Sequence, residues 1–329
     1  MKVRILIEPE IRQCVSLDME ALEAVAAAFS KLAAGEAVVP PVLRIDIPLH
    51  HGEVDVKTAY LLGLDHFAIK IASGFFGNHQ LGLPTGSGMM VVMSAVTGFA
   101  EAFLLDNGYL TDVRTGLAGA IAARHLAGKQ VETAGVIGAG MQARYQMRAL
   151  KLVRDFRRVL VYSLDAADAA RYAAEMSDEL QVPVEVAVSA EMVVRQSQVV
   201  VTTTPAQAPY LQAEWLHPGL HITCMGSDSE NKQECHADVF ARADRICCDL
   251  KAQCFRLGEL QHALKAGVLA EDADITELGE LTLGKKAGRQ REDEITICDL
   301  TGVGVQDTAI ALLAYQKALA RQMGTLLGN

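Results

Sequence analysis

Apolar positions along the chain follow two rhythms. Between residues 17 and 34, Leu22, Val25, Phe29 and Leu32 recur at helical spacing, Asp18 and Glu20 sit in the first turn where the helix dipole favours negative charge, and Gly35 stops the run. An amphipathic helix is predicted there. The stretches 40–48, 52–60, 66–75 and 88–96 are short, rich in β-forming residues and separated by Gly, Pro, His and Asp, with little helical pattern between them. They predict a largely antiparallel sheet. Residues 71–100 carry no Asp, Glu, Lys or Arg, yet seven Gly and Pro positions between 74 and 98 interrupt them too often for one membrane-spanning helix. Buried strands and turns are expected.

Beyond about residue 115 the rhythm changes. Strand-like runs at 133–138, 157–163, 182–188, 197–204, 221–226, 244–250 and 295–300 alternate with helical patterns at 141–153, 165–180, 190–196 and 253–264, and a long helix is predicted over 307–323. Such alternation builds a parallel sheet covered by helices on both faces. The predicted fold is therefore α/β: a Rossmann-type doubly wound parallel sheet, plus a separate α+β domain.

Composition narrows the function. The chain has 329 residues, half of them apolar and 21% charged, enough for two buried cores. A formal charge of −10 repels phosphate polymers and anionic membrane surfaces alike, so neither nucleic acid nor membrane is an expected partner. The seven cysteines form no CxxC pair, and Cys247 and Cys248 lie inside an apolar run, which points to free buried thiols in a reducing compartment. The first residues lack an apolar core of signal-peptide length, so the expected location is the cytoplasm.

The most informative string is Val136-Ile137-Gly138-Ala139-Gly140-Met141-Gln142-Ala143, a G-x-G-x-x-A turn between an apolar strand and a helix. The first glycine permits the tight turn, the second lets a pyrophosphate approach the backbone, and the small third residue packs helix on sheet. A nicotinamide dinucleotide is the expected cofactor. The following strand ends at Ser163 with Asp165 two places later, where an acid favours the 2′-hydroxyl of NAD over the 2′-phosphate of NADP; Asp165 as the cap of the next helix is the competing reading. Thr203 and Thr204 close a Val-rich strand and are expected to line the cofactor crevice.

Lys70 is flanked by isoleucines in an otherwise buried run, and a buried ammonium requires an anion, from the protein or from a substrate. Arg114, whose planar fork suits a carboxylate, raises the same alternatives. Asp228, after Gly226-Ser227, is either a crevice acid or a turn residue. His50 and His51 point to opposite faces of an extended chain and no ligand cluster completes a site, so no metal is assigned.

Lys70 in FAIKIASGF, Arg114 in DVRTG, the glycine turn VIGAGMQAR, HPGLHITCMGSD and DLTGVGVQDTAIA together resemble the ornithine cyclodeaminase/mu-crystallin family, in this order and over nearly the whole chain. Within it the chain looks most similar to the cyclodeaminase-like proteins of ectoine utilisation. The resemblance implies a homodimer in which residues 1–115 with 306–329 form a substrate-binding and dimerisation domain, and 116–305 form the NAD(P)-binding Rossmann domain. By matching motifs, Arg44 and Arg114 would hold a substrate carboxylate, Lys70 would polarise it, and Asp228 would be the acid/base at the amine. Thr115 and Gly226 would join Gly138, Ala139, Gly140, Met141, Gln142, Ser163, Asp165, Thr203 and Thr204 around the cofactor.

Lys57 stands where ornithine cyclodeaminases carry a glutamate for the distal amine, and like charges repel there, although Glu53 and Asp55 share its strand face and offer neutralisation. The first functional expectation is therefore an NAD(P)-dependent amino-acid dehydrogenase or imino-acid reductase. A cyclodeaminase that recycles its NAD is the alternative, and a mu-crystallin-like binding protein the third.

Overall fold

The computed structural model describes residues 2–328, the side chain at position 79 excepted. It divides into two compact units: residues up to Arg114 together with those from Val303 onward, and Thr115–Gly302. Both boundaries fall slightly earlier in the chain than the resemblance implies.

The first unit opens with β1 (Lys2–Ile7), α1 (Glu8–Cys14) and α2 (Met19–Ala33). Then come β2 (Ala37–Val38), β3 (Leu43–Ile47), β4 (Gly52–Leu61), β5 (His66–Phe75), β6 (Gly86–Ser94) and β7 (Ala100–Leu105). The chain leaves through α3 (Tyr109–Leu126) and later returns as α10 (Gly304–Ala320) and β16 (Thr325–Gly328). Strand order is β16-β1-β7-β6-β5-β4-β2, with β3 also paired to β4. The ladders are antiparallel, as the sequence predicts, except that β1 runs parallel to β7. Helix α2 starts where Asp18 accepts the Ala21 amide at 2.9 Å, and its Leu22, Val25 and Phe29 are fully buried.

The second unit contains β8 (Thr133–Ile137), α4 (Met141–Lys151), β9 (Arg158–Tyr162), α5 (Ala166–Leu180), β10 (Val184–Val186), α6 (Ala190–Gln196) and β11 (Val199–Thr202). It continues with β12 (His221–Cys224), β13 (Arg245–Cys248), α7 (Lys251–Leu257), α8 (Glu259–Lys265), β14 (Thr276–Glu277), α9 (Leu278–Thr282) and β15 (Thr296–Asp299). Every ladder is parallel, in the order β10-β9-β8-β11-β12-β15-β13-β14. The direction of winding reverses between β8 and β11, and in such sheets the ligand crevice opens at that switch point, beyond the carboxyl ends of the strands.

Some elements differ from the sequence pattern for identifiable reasons. The helix predicted over 253–264 is split into α7 and α8 at Gly258, where a Cβ would stand 2.3 Å from the Asp299 carboxylate. Helix α3 is buried on most sides and so shows no apolar stripe; β16 is an exposed edge strand held by backbone pairing to β1. The uncharged stretch around residues 76–83 is not buried: Phe76, Leu81 and Leu83 lie open to solvent.

Candidate active site

The switch point of the second unit opens into a cleft of about 990 Å³ lined by Gly138, Ala139, Gly140, Ser163, Thr203 and Thr204. Gly138 has φ +105°, and a Cβ there would lie 2.5 Å from the Thr203 hydroxyl oxygen, so only glycine lets β8 turn beside the end of β11. A Cβ on Gly140 would meet nothing within 4 Å, which leaves its backbone open to a ligand. Gly140 is also the N-cap of α4 and provides no side-chain cap, so the first-turn amides of α4 keep donor capacity for a phosphate. Ala143 is fully buried, the small residue that helix-on-sheet packing requires. These features fit a dinucleotide.

Met141 and Gln142 are not among the residues that line the cleft, but they form the first turn of α4 and carry the backbone amides available to a phosphate. Other expected cofactor residues lie elsewhere. Thr115 is buried and its carbonyl accepts from Gln146 at 2.9 Å. The Asp165 carboxylate caps α5, accepting the Ala167 and Asp168 amides at 2.8 and 3.4 Å, and Asp165 does not line the cleft. The capping reading thus accounts for Asp165. Beside Ser163 the cleft instead carries Asp168 and Arg171, ion-paired to each other, and Arg144, which donates to the Ala139 carbonyl at 2.6 Å.

A carboxylate that the sequence reading missed shapes the far wall. Glu234 is fully buried and accepts from the Thr202 hydroxyl (2.6 Å), the Thr204 amide (2.7 Å) and hydroxyl (2.6 Å), the Tyr210 hydroxyl (2.9 Å) and the Gly226 amide (2.9 Å). Burial pushes its carboxyl up, and the Thr202 and Thr204 donors oppose that shift. Gly226 does not line the cleft; a Cβ on it would lie 2.2 Å from the Thr204 carbonyl oxygen, so glycine allows the two turns to meet. Asp228, two residues later, is partly exposed and pairs with Lys232 at 2.7 Å.

In the first unit, three functional candidates meet on one side of the sheet. Lys70 on β5 is 2% exposed and pairs across the strands with Lys57 on β4, which places both side chains on the same face. The Lys70 Nζ lies 3.2 Å from Oδ2 of Asp307 on α10, and the Arg114 Nε of α3 lies 3.0 Å from Oδ1 of the same carboxylate. All four residues are buried. Burial first, then the positive charge of Arg114, pushes the Lys70 ammonium down to about 7, with Lys57 adding to this and Asp307 opposing it.

Arg44 departs from expectation. Its guanidinium is held by Glu53, by Asp46 at 2.9 Å and by Asp55 at 3.8 Å, and it makes no ion pair with Asp307. Three carboxylates, Asp46, Glu53 and Asp55, therefore surround the cation expected to clasp a substrate. Among the described residues no group of three or more His, Cys, Asp or Glu side chains is arranged to hold a metal ion.

The sequence profile of the ornithine cyclodeaminase/mu-crystallin family matches residues 1–322. A putative dehydrogenase of Rhizobium meliloti is 51% identical, over 98% of both chains. Among solved structures, the Δ1-pyrroline-2-carboxylate reductase of Thermococcus litoralis in complex with NADH and L-proline superposes with a TM-score of 0.93 at 30% identity, covering 98% of this chain and 99% of its own. An archaeal alanine dehydrogenase dimer with bound NAD gives 0.91 at 34% identity, covering 100% and 99%. The chain belongs to the ornithine cyclodeaminase/mu-crystallin family.

Proposed function

We propose that this protein is an NAD-dependent oxidoreductase that moves a hydride between the nicotinamide and the α-carbon of a small amino acid through an imine, working as an amino-acid dehydrogenase or imino-acid reductase. The observation that carries this reading is the buried cationic site of the first unit, where Lys70 and Arg114 flank a single carboxylate and Lys57 shares the Lys70 face. Two buried cations, Lys70 and Arg114, against one anion leave positive charge for a substrate carboxylate to neutralise. NAD, bound in the cleft, would supply or accept the hydride. Lys70 and Arg114 hold the carboxylate, which fixes the α-carbon and leaves the nitrogen free. Asp228 exchanges the proton at that nitrogen.

Relatives of the same fold support the chemistry and the cofactor, since the pyrroline-2-carboxylate reductase structure contains NADH and proline and the archaeal alanine dehydrogenase contains NAD. The dimer of the latter, and the exposed Leu43, Ile45, Phe76 and Leu81 of the first unit, support a homodimer. The cysteines are buried and free, which fits the cytoplasm, and no helix among the described residues is long and apolar enough to cross a membrane. Motifs spread from residue 40 to residue 311 support kinship with the ectoine-utilisation branch. Lys57 argues against a distal ammonium on the substrate and so against ornithine cyclisation.

The test is a panel of amino and cyclic imino acids assayed at the reduced-nicotinamide absorbance band and, in parallel, for ammonia. Hydride transfer predicts absorbance that changes in step with substrate, and Lys70→Ala is expected to lower turnover by about a thousandfold or more while NAD affinity stays within about twofold. Ammonia release without net change of absorbance would establish a cyclodeaminase instead.

A further inference from the structure

We infer that Asp307 is a positioning residue of this site, holding Lys70 and Arg114 at the separation that a substrate carboxylate spans; the inference rests on the carboxylate-binding role just proposed for those two cations. Asp307 is fully buried and its two oxygens are divided between two elements: Oδ2 faces Lys70 of β5 at 3.2 Å and Oδ1 faces Arg114 of α3 at 3.0 Å. Two cations converging without an anion would repel and splay apart, so the carboxylate sets both their distance and their direction.

The support behind Asp307 is rigid. A Cβ on Gly304, in the same first turn of α10, would lie 2.2 Å from the Thr58 carbonyl oxygen, so glycine allows the helix to approach β4. The Thr308 hydroxyl donates to the Ala59 carbonyl at 2.7 Å and accepts the Ala68 amide at 3.1 Å, fastening α10 to β4 and β5. Gln306 accepts the Val303 amide at 2.8 Å and the Arg114 Nη1 at 3.4 Å through the same oxygen. A carboxylate anchored on both flanks passes its own placement to the cations it holds.

Among the described residues, the charged groups acting on Lys70 are Lys57 from β4, Arg114 from α3 and Asp307 from α10, while its partner on β6 is Met90. Of these, Asp307 alone favours the ammonium form, so its removal makes Lys70 lose its proton at lower pH. The probe is pyruvate, a carboxylate without an amine to titrate, bound to the NAD-loaded protein and followed by calorimetry from pH 5.5 to 9. In the unaltered protein affinity should fall by up to about tenfold per pH unit above the Lys70 transition.

In Asp307→Asn that transition should move toward acid by about one unit or more, with pyruvate affinity at pH 6 weakened at least about twofold by the lost proton alone and NAD affinity unchanged within about twofold. A transition at the same pH overturns the inference, as does absence of pyruvate binding to the unaltered protein at every pH. If Asp307→Asn does not fold, Asp307→Glu replaces it: charge kept and carboxylate displaced should hold the transition near its original pH and cost about tenfold in pyruvate affinity. Unchanged affinity there is the refuting result. Because binding alone is read, a failure of the hydride-transfer reading in the substrate panel would leave this result standing.

Discussion

Replacing Asp299 by asparagine removes one buried ionisation at the end of the sheet where the cleft opens. Asp299 closes β15, is fully buried, and its Oδ2 accepts the Leu260 amide at 3.0 Å at the start of α8. Burial pushes its carboxyl from 3.8 up to about 8; the Leu260 amide opposes this and the Asp249 charge adds to it. The folded chain therefore holds this proton more tightly than the unfolded chain, so the acid's contribution to stability is greatest below pH 3.8 and is lost as pH rises toward 8. At about 1.4 kcal/mol per unit over roughly three units, the loss at pH 7 is on the order of 4 kcal/mol.

Asparagine keeps an oxygen for the Leu260 amide and carries no ionisation. The stability of Asp299→Asn minus that of the unaltered protein should therefore rise by about 1.4 kcal/mol per pH unit between about 5 and 8 and level off above. His221, pushed down to about 3 by burial and the nearby Arg289 charge, gains a proton on unfolding below 6.5 in both proteins and cancels in the difference. The single tryptophan, Trp215, lies in the second unit, so its fluorescence during urea unfolding follows the relevant transition. A difference that stays constant from pH 5 to 8 would refute the linkage.

Two further outcomes test the supports of each unit. Glu234→Gln leaves the five donors around that carboxylate with a weaker, partly donating partner, and NAD affinity should fall about tenfold with the pyruvate pH transition unmoved; an unchanged dissociation constant removes Glu234 from the cofactor wall. Gly304→Ala forces a methyl against the Thr58 carbonyl, so the first unit should lose about 2 kcal/mol or more, read as a lower melting temperature, and a melting temperature within a degree of the original would contradict the close approach.

Local backbone demands were legible in the sequence. The turn at Gly138 needs a positive φ and room for Thr203, which only glycine meets, and the alternation of apolar strands with helices fixes a parallel sheet. Lys70 could be recognised as a buried cation because the whole run around it is apolar: strand period puts Ala68 and Ala72 on its own face and Ile69 and Ile71 on the opposite one, so cover is expected on both sides of the strand. Local composition likewise offered both roles for Asp165, and the capping distances decide between them.

The partners of the buried charges were decided only by the tertiary structure. Asp307 reaches Lys70 from the far end of the chain, Glu53 and Asp55 turn to Arg44 across a strand pair, and Arg144 and Arg171 enter the cleft from two different helices. A hydrophobic pattern states whether a position is covered, since coverage follows from periodicity along one element. Which opposite charge answers a buried one depends on contacts between elements remote in sequence, and no periodicity along the chain encodes that distance.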